Sequence, residues 1–361
     1  MLRSPRYDRR VNAAELSPRH PAERGGDYAA LKRRIAAAGL LRKQPRYYCL
    51  LIAANSAMLL GGLALMLILQ NPWLRIVDAV LLGLVSGQLG FQLHDAGHRQ
   101  MFERPWLNVA VGLITADALL GMSYGWWVSK HNLHHANPND IDEDPDIGAG
   151  ALVYTRGEAL ERRGLMRALT AYQAFAFFPL LFFMGLAMHG SSISYLVRTR
   201  AAHRRLEVGV LVAHAVVYVG GLLLIAGPWL GLVILLVHQA TASFYLASVF
   251  APNHKGMPQT DALTRLDFLR AQVLTARNVR GGRATDVVYG SLNYQIEHHL
   301  FPAMPRRNMR QAQLIIRAYC EEIGLPYYET SVAQSYREIL SFLHEVGEPL
   351  RHPALTGTLT R

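Results

Sequence analysis

Eight histidines sit in four tight groups along a chain of 361 residues. The groups read His94-Asp95-Ala96-Gly97-His98, His131-Asn132-Leu133-His134-His135, Asn253-His254 and Gln295-Ile296-Glu297-His298-His299. Imidazole is a good ligand for a borderline transition metal. His94 and His98 are four apart, and such a pair shares one helix face. His131 pairs with His134 across three residues and with His135 across four, so this triplet can serve two adjacent ions. Eight imidazoles exceed the needs of one ion. The pattern predicts two metals, read as iron, with all eight histidines as ligands.

Rival chemistries fit less well. Cys49 and Cys320 are the only cysteines, too few for a thiolate site or a disulfide framework. No H-E-x-x-H zinc-protease motif occurs. Asp140, Asp142, Glu143, Asp144 and Asp146 do not match a calcium loop, which needs a central Gly and a terminal Glu. They are read as an acidic loop that supports the second histidine group. Gly281-Gly282 is too little for a nucleotide-binding turn. His189, His203, His214, His238, His344 and His352 lack paired spacing and are left outside the ligand set, and His20 is read as part of a loose N-terminus.

The elements that position these groups are apolar. Hydrophobic residues make up 51% of the chain and charged residues only 17%, below the ~25% of soluble domains. The net charge of +11 is concentrated near the apolar runs, from Arg3 to Arg46 and again at Arg198, Arg200, Arg204 and Arg205. Basic juxtamembrane residues mark the cytoplasmic face and anionic lipid, so nucleic-acid binding is set aside.

Runs 48–69 and 76–93 each approach the ~20 residues of a membrane-crossing helix. Three more runs follow, 169–188, 208–226 and 229–250. If all three crossed, His254 would face the opposite side from His135. Parity therefore makes 169–188 interfacial or partly embedded. Run 107–121, which holds Asp117, reads as re-entrant or interfacial. Segments 306–321 and 329–345 have helical apolar spacing. The expected fold is all-α and integral to the membrane. It has four transmembrane helices, interfacial helices and a cytoplasmic helical cap, with the histidine groups and both termini cytoplasmic. The expected division is a basic flexible N-terminus at 1–47, a membrane domain at 48–325 and a C-terminal helix and tail at 326–361.

The boxes HDAGH, HNLHH, FAPNHKG and TARNVRGG…YGSLNYQIEHHLFPAMPR resemble those of the membrane fatty acid desaturases. The resemblance runs from about residue 48 to 325. Its last box is similar to the Q-x-x-H-H form of front-end and related acyl-lipid desaturases. It implies a non-heme diiron centre on His94, His98, His131, His134, His135, His254, His298 and His299. Gln295 stands where other members carry a histidine. Gln295, Asp95, Asn253 and Glu297 are then expected around the ligands, directly or through water. Phe91, Trp126, Trp127, Phe244 and Tyr245 are expected to line the acyl route.

The implied reaction uses O2 and two electrons to place a cis double bond in a fatty acyl chain, with oxygen leaving as water. No H-P-G-G haem motif is present, so the expected electron donor is a separate ferredoxin or rubredoxin with its reductase. The expected location is the cell membrane. A membrane diiron hydroxylase of lipid, alkane or carotenoid shares histidine boxes, but the Q-I-E-H-H-L-F-P ending disfavours it. A metal transporter would carry ligands within its spans, whereas these boxes lie at span ends.

Overall fold

The computed structural model describes residues 21–148, 150–261 and 266–352. His20, the basic residues before it and the tail beyond 352 lie outside the described residues. The helices in chain order are α1 Pro21–Ala37, α2 Pro45–Ile68, α3 Pro72–Gly97, α4 Pro105–Leu113, α5 Tyr124–Ala136, α6 Arg156–Glu161, α7 Gly164–Ala171 and α8 Gln173–Leu181. They continue as α9 Met184–Arg198, α10 Arg204–His254, α11 Phe268–Leu274, α12 Arg283–Val288, α13 Gln295–Leu300, α14 Met309–Glu322, α15 Val332–Val346 and α16 Glu348–Arg351. A π-helical turn, Ile114–Leu119, extends α4. Among the described residues the strands are a two-residue parallel pair, β1 Asn278–Val279 and β2 Glu329–Thr330, and an isolated bridge joins Asp140 to Thr260.

Helix starts follow local chemistry. Pro45, Pro72 and Pro105 occupy first helical positions, where a missing N–H costs nothing. The Asn71 side chain accepts from Trp73 N at 2.9 Å, and Ser123 Oγ accepts from Trp126 N at 3.0 Å.

Helices α2, α3 and α10 are long and apolar enough to cross a bilayer. Apolar side chains face outward on them, including Leu60 at 64% and Leu224 at 90% exposure. Such a surface needs lipid around it. A straight helix of 51 residues, the length of α10, would span ~76 Å, against ~30 Å of hydrocarbon. Gly227, at φ 72°, breaks α10 into two arms. Tyr218 OH lies 2.6 Å from His238 Nδ1, so the arms fold back on each other. The hairpin turns at Gly227-Pro228, between the apolar runs 208–226 and 229–250.

The second arm of α10 runs parallel to α3. A Cβ on Gly83 would lie 2.7 Å from Thr241, and one on Gly87 would lie 2.1 Å from Tyr245. Small residues thus let the two backbones approach. Both helices carry a histidine in the last turn, α3 His94 and α10 His254. The run 169–188 is not one helix: α8 and α9 meet at a 74° bend. α4 with its π turn and α5 meet at 114°.

Within the N-terminal stretch 1–47, expected to be flexible, Pro21–Ala37 is helical. Leu31 and Ile35, four apart, are fully buried in one core with Leu269, Ile296, Leu300, Ala312 and Ile316. The stripe is too narrow to stand out among the surrounding arginines. Within segment 326–361, α15 also packs inward. Ile339, Phe342 and Leu343 of α15 join Phe177, Leu181 and Ala247 in a second core. Both cores stand behind the histidine-bearing ends.

Candidate metal centre

Four elements bring the eight histidines together. The C-terminal end of α3 carries His94, with His98 as its cap. α5 carries His131, His134 and His135, the end of α10 carries His254, and α13 carries His298 and His299. One ligand atom from each of His94, His98, His131 and His298 lies within 4.8 Å of the others. The same holds for His134, His254 and His299. Opposite ligands around an ion with bonds of about 2.1 Å are roughly 4 Å apart, so both groups are near closure. His135 sits between them. Its Nε2 is 3.2 Å from His131 Nε2 and 3.0 Å from His298 Nε2, and its ring stacks on His299 of the other group at 4.2 Å between centroids.

The outer ring nitrogens set the orientation. His134 Nδ1 donates to both oxygens of Asp144 at 3.0 Å. His254 Nδ1 donates to the Thr275 carbonyl at 3.1 Å, and His299 Nδ1 donates to Gln272 Oε1 at 2.8 Å. Gln272 Nε2 is itself fixed on the His135 carbonyl at 3.1 Å. With the proton on Nδ1, each Nε2 carries a lone pair. The Nε2 atoms of His254 and His299 are only 3.0 Å apart. Two facing lone pairs repel, and a cation beside them removes the conflict. His98 Nε2 is also buried without a hydrogen-bond partner. These observations fit a metal on both groups.

Burial, and then the neighbouring imidazoles, push His298 and His299 well below the ordinary histidine range. They are therefore neutral and able to bind metal near pH 7. Burial alone would raise the Asp144 carboxyl, but the hydrogen bond from His134 holds it below its usual range.

Asp95 does not mainly serve His94. Its Oδ1 is 3.4 Å from His94 Nδ1, while its Oδ2 pairs with buried Arg306. Arg306 N in turn donates to Tyr48 OH at 3.1 Å, tying the cap to α2. Glu297 points away from the ring cluster. It accepts from Asn278 at 2.6 Å and Tyr327 at 2.7 Å, and burial raises its carboxyl to about 7. Gln295 Nε2 is 2.9 Å from His254 Nε2, and its Oε1 accepts from Asn253 Nδ2 at 2.9 Å. Gln295 is thus the one non-histidine side chain of the box that reaches the cluster.

The bulky residues expected along the acyl route divide. Trp127 stacks on His131 at 4.5 Å between ring centroids. Trp126, beside it, faces α9 and lines a groove. Phe91 and Tyr245 pack edge-to-face at 5.9 Å in a closed core with Val249 and Tyr289. Phe244 stacks on Phe182 at 4.6 Å. Sequence reading missed Gln272, Thr275 and Arg306. Thr275 and Arg306 lay inside quoted motifs, at the start of TARNVRGG and the end of PAMPR; Gln272 lay outside them and carried no signal. The histidines set aside stay apart: His189 and His214 contact backbone carbonyls, and His238 contacts Ser86 and Tyr218.

Fold and site together define a helical membrane protein with a buried polyhistidine centre suited to metal. The chain belongs to the fatty acid desaturase family, whose model matches residues 71–331. It is 32% identical to an acyl-lipid (9-3)-desaturase of Physcomitrium patens, over 86% of this chain and 60% of the relative. It is 28% identical to a delta(6)-fatty-acid desaturase of Caenorhabditis elegans, over 97% of this chain and 81% of that protein. A delta(8)-fatty-acid desaturase of Euglena gracilis is 28% identical, over 83% of this chain and 74% of the relative.

Proposed function

We propose that the chain is an oxygen-dependent acyl desaturase that holds two iron ions on its eight clustered histidines. The observation that carries this reading is the convergence of imidazole nitrogens into two adjacent groups, in a member of the desaturase family. His94, His98, His131 and His298 would hold one ion, and His134, His254 and His299 the other. His135 lies where it can serve either. When bound, iron supplies the O2 activation needed to break unactivated C–H bonds. The net change takes two hydrogens from adjacent methylenes. With O2, two electrons and two protons, it yields a double bond and two waters.

The protein's own part is placement. Asp144, Thr275 and Gln272 hold three imidazoles with Nε2 inward, and such partners commonly matter 10–100-fold for metal affinity (on the order of). Gln295 is read as an added oxygen donor. Asn253 Oδ1 is buried without a partner. Turning both amides over would satisfy it and present Gln295 Oε1 toward His254. Trp127 covers the His131 side and excludes water there.

The proposed topology has four crossings: α2, α3 and the two arms of α10. The histidines and both termini are cytoplasmic and the host is the cell membrane. The basic turn at Arg198, Arg200, Arg204 and Arg205 supports that side assignment. A separate ferredoxin or rubredoxin with its reductase is the proposed electron donor. Acyl-lipid is the favoured carrier, in line with the moss relative's name.

The test is expression in a host that makes only saturated chains, followed by mass spectrometry that locates double bonds. New monoenes, absent with His134→Ala, are expected. Hydroxylated chains without any alkene would overturn the reading in favour of a hydroxylase.

A further inference from the structure

α9 has two unlike faces. Leu186, Ile193 and Val197 are 57%, 61% and 70% exposed, a surface fit for lipid. The adjoining face forms a groove of about 560 Å³ with Trp126, within the ~300–1,000 Å³ of small-molecule sites. Its polar lining is Ser191, Ser194, Tyr195, Arg198 and Thr199. Ser123 N donates to Ser192 Oγ at 2.7 Å beneath it, and Glu207 accepts from Ser123 Oγ at 2.5 Å and Gly125 N at 3.2 Å. The floor is therefore fixed to the start of the histidine-bearing α5. Arg200, His203, Arg204 and Arg205 are exposed just past the end of α9.

We propose that this groove binds the phosphate-bearing head of the acyl substrate. The Arg198 guanidinium, in one groove with the hydroxyls of Ser191, Ser194 and Tyr195, matches a tetrahedral oxyanion. The lipid-facing apolar strip beside it calls for an amphiphile rather than a free anion. Trp126 walls the groove, and its neighbour Trp127 stacks on His131. A head held at Arg198 of α9 thus faces Trp126 at the start of α5, the helix that carries three of the histidines, and its chain can enter from the bilayer beside them. Naming the ligand as substrate rests on the desaturase reading above. Phospholipid and acyl-CoA both offer the required phosphate.

The test uses the full chain in a phosphate-free maltoside detergent. The probe is phosphatidylglycerol brominated on its acyl chain, read by quenching of Trp126, with Trp126→Phe as the reference for the other tryptophans. Losing one charge-assisted contact should weaken binding about fivefold or more in Arg198→Ala, and Arg198→Lys should recover most of it. Ser194→Leu, which fills the groove, should weaken binding similarly. Acyl-CoA and unlabelled phosphatidylglycerol are the competing arms, and the tighter one identifies the carrier. Binding within twofold of the wild type in both Arg198→Ala and Ser194→Leu overturns the proposal. So does equal displacement by palmitate or by inorganic phosphate. Binding needs no turnover, so the two readings fail separately. A chain that binds but makes no double bond sinks the desaturase reading alone. A desaturase indifferent to Arg198 sinks the groove alone.

Discussion

His134 donates its Nδ1 hydrogen to both carboxylate oxygens of Asp144 at 3.0 Å, ten residues further along the chain. Asp144 also accepts from Asn139 N at 2.8 Å and Asp146 N at 2.9 Å, which ties the acidic loop into one unit. Asn139 Nδ2 in turn donates to the His254 carbonyl at 3.0 Å. The loop thus links two histidines of the same three-histidine group. Asp144→Ala should lower iron occupancy of that group, with activity falling on the order of 10–100-fold. Asp144→Asn keeps the shape and should fall between the two. Iron analysis of the purified variants checks this, and full occupancy in Asp144→Ala would contradict it.

The buried histidines make stability depend on pH. In the folded chain His298 and His299 sit well below 6.5, through burial first and neighbouring imidazoles second. The unfolded chain therefore binds more protons below about 6.5, so folding stability rises with pH there. For metal-free protein, melting temperature should be flat above pH 7 and should fall as pH drops through 6.5 toward 5. A higher melting temperature at pH 5 than at pH 7.5 would contradict the burial. Added Fe(II) should raise stability at neutral pH and lose that effect in acid.

Helix contact between α3 and α10 leaves no room at Gly87, where a Cβ would meet the Tyr245 ring at 2.1 Å. Gly87→Leu must displace that ring or part the helices. Overpacking of this kind costs about 1–3 kcal/mol or more. The expected result is a lowered melting temperature together with reduced metal retention, since the two helices deliver His94 and His254. Gly61→Leu is the control, because a Cβ at Gly61 meets nothing within 4 Å.

Two cysteines offer an internal comparison. Cys49 is exposed, and Cys320 is buried in α14 with its thiol pushed up to about 12 by burial. The thiolate is the reactive form. Iodoacetamide at pH 8 should therefore modify Cys49 and leave Cys320 untouched until the chain is denatured. Equal labelling rates, followed by peptide mass spectrometry, would show that the α1–α14 core is open.

Much of this was legible in the sequence because its signals are periodic. Histidines three and four apart share a helix face whatever the fold. Apolar runs of crossing length announce α2, α3 and both arms of α10, and Gly227-Pro228 announces the turn between the arms. The parts that were not legible depend on tertiary contact. Leu31 and Ile35 reveal their helix only through the core they enter. Gln272 and Thr275 are ordinary neutral residues until the fold sets them against His299 and His254. Bulk alone could not separate Trp127, which covers a histidine, from Phe91, which is sealed in a core. Spacing could not show that Asp95 would turn from His94 toward Arg306.

The central claim is that the eight histidines hold two irons in two neighbouring groups. The most direct test is iron per chain, by elemental mass spectrometry on protein purified after anaerobic Fe(II) loading. The account predicts two irons per chain in the wild type and one when His254 and His299 are both changed to Ala. One iron or none in the folded wild type, or two in that double variant, would contradict it.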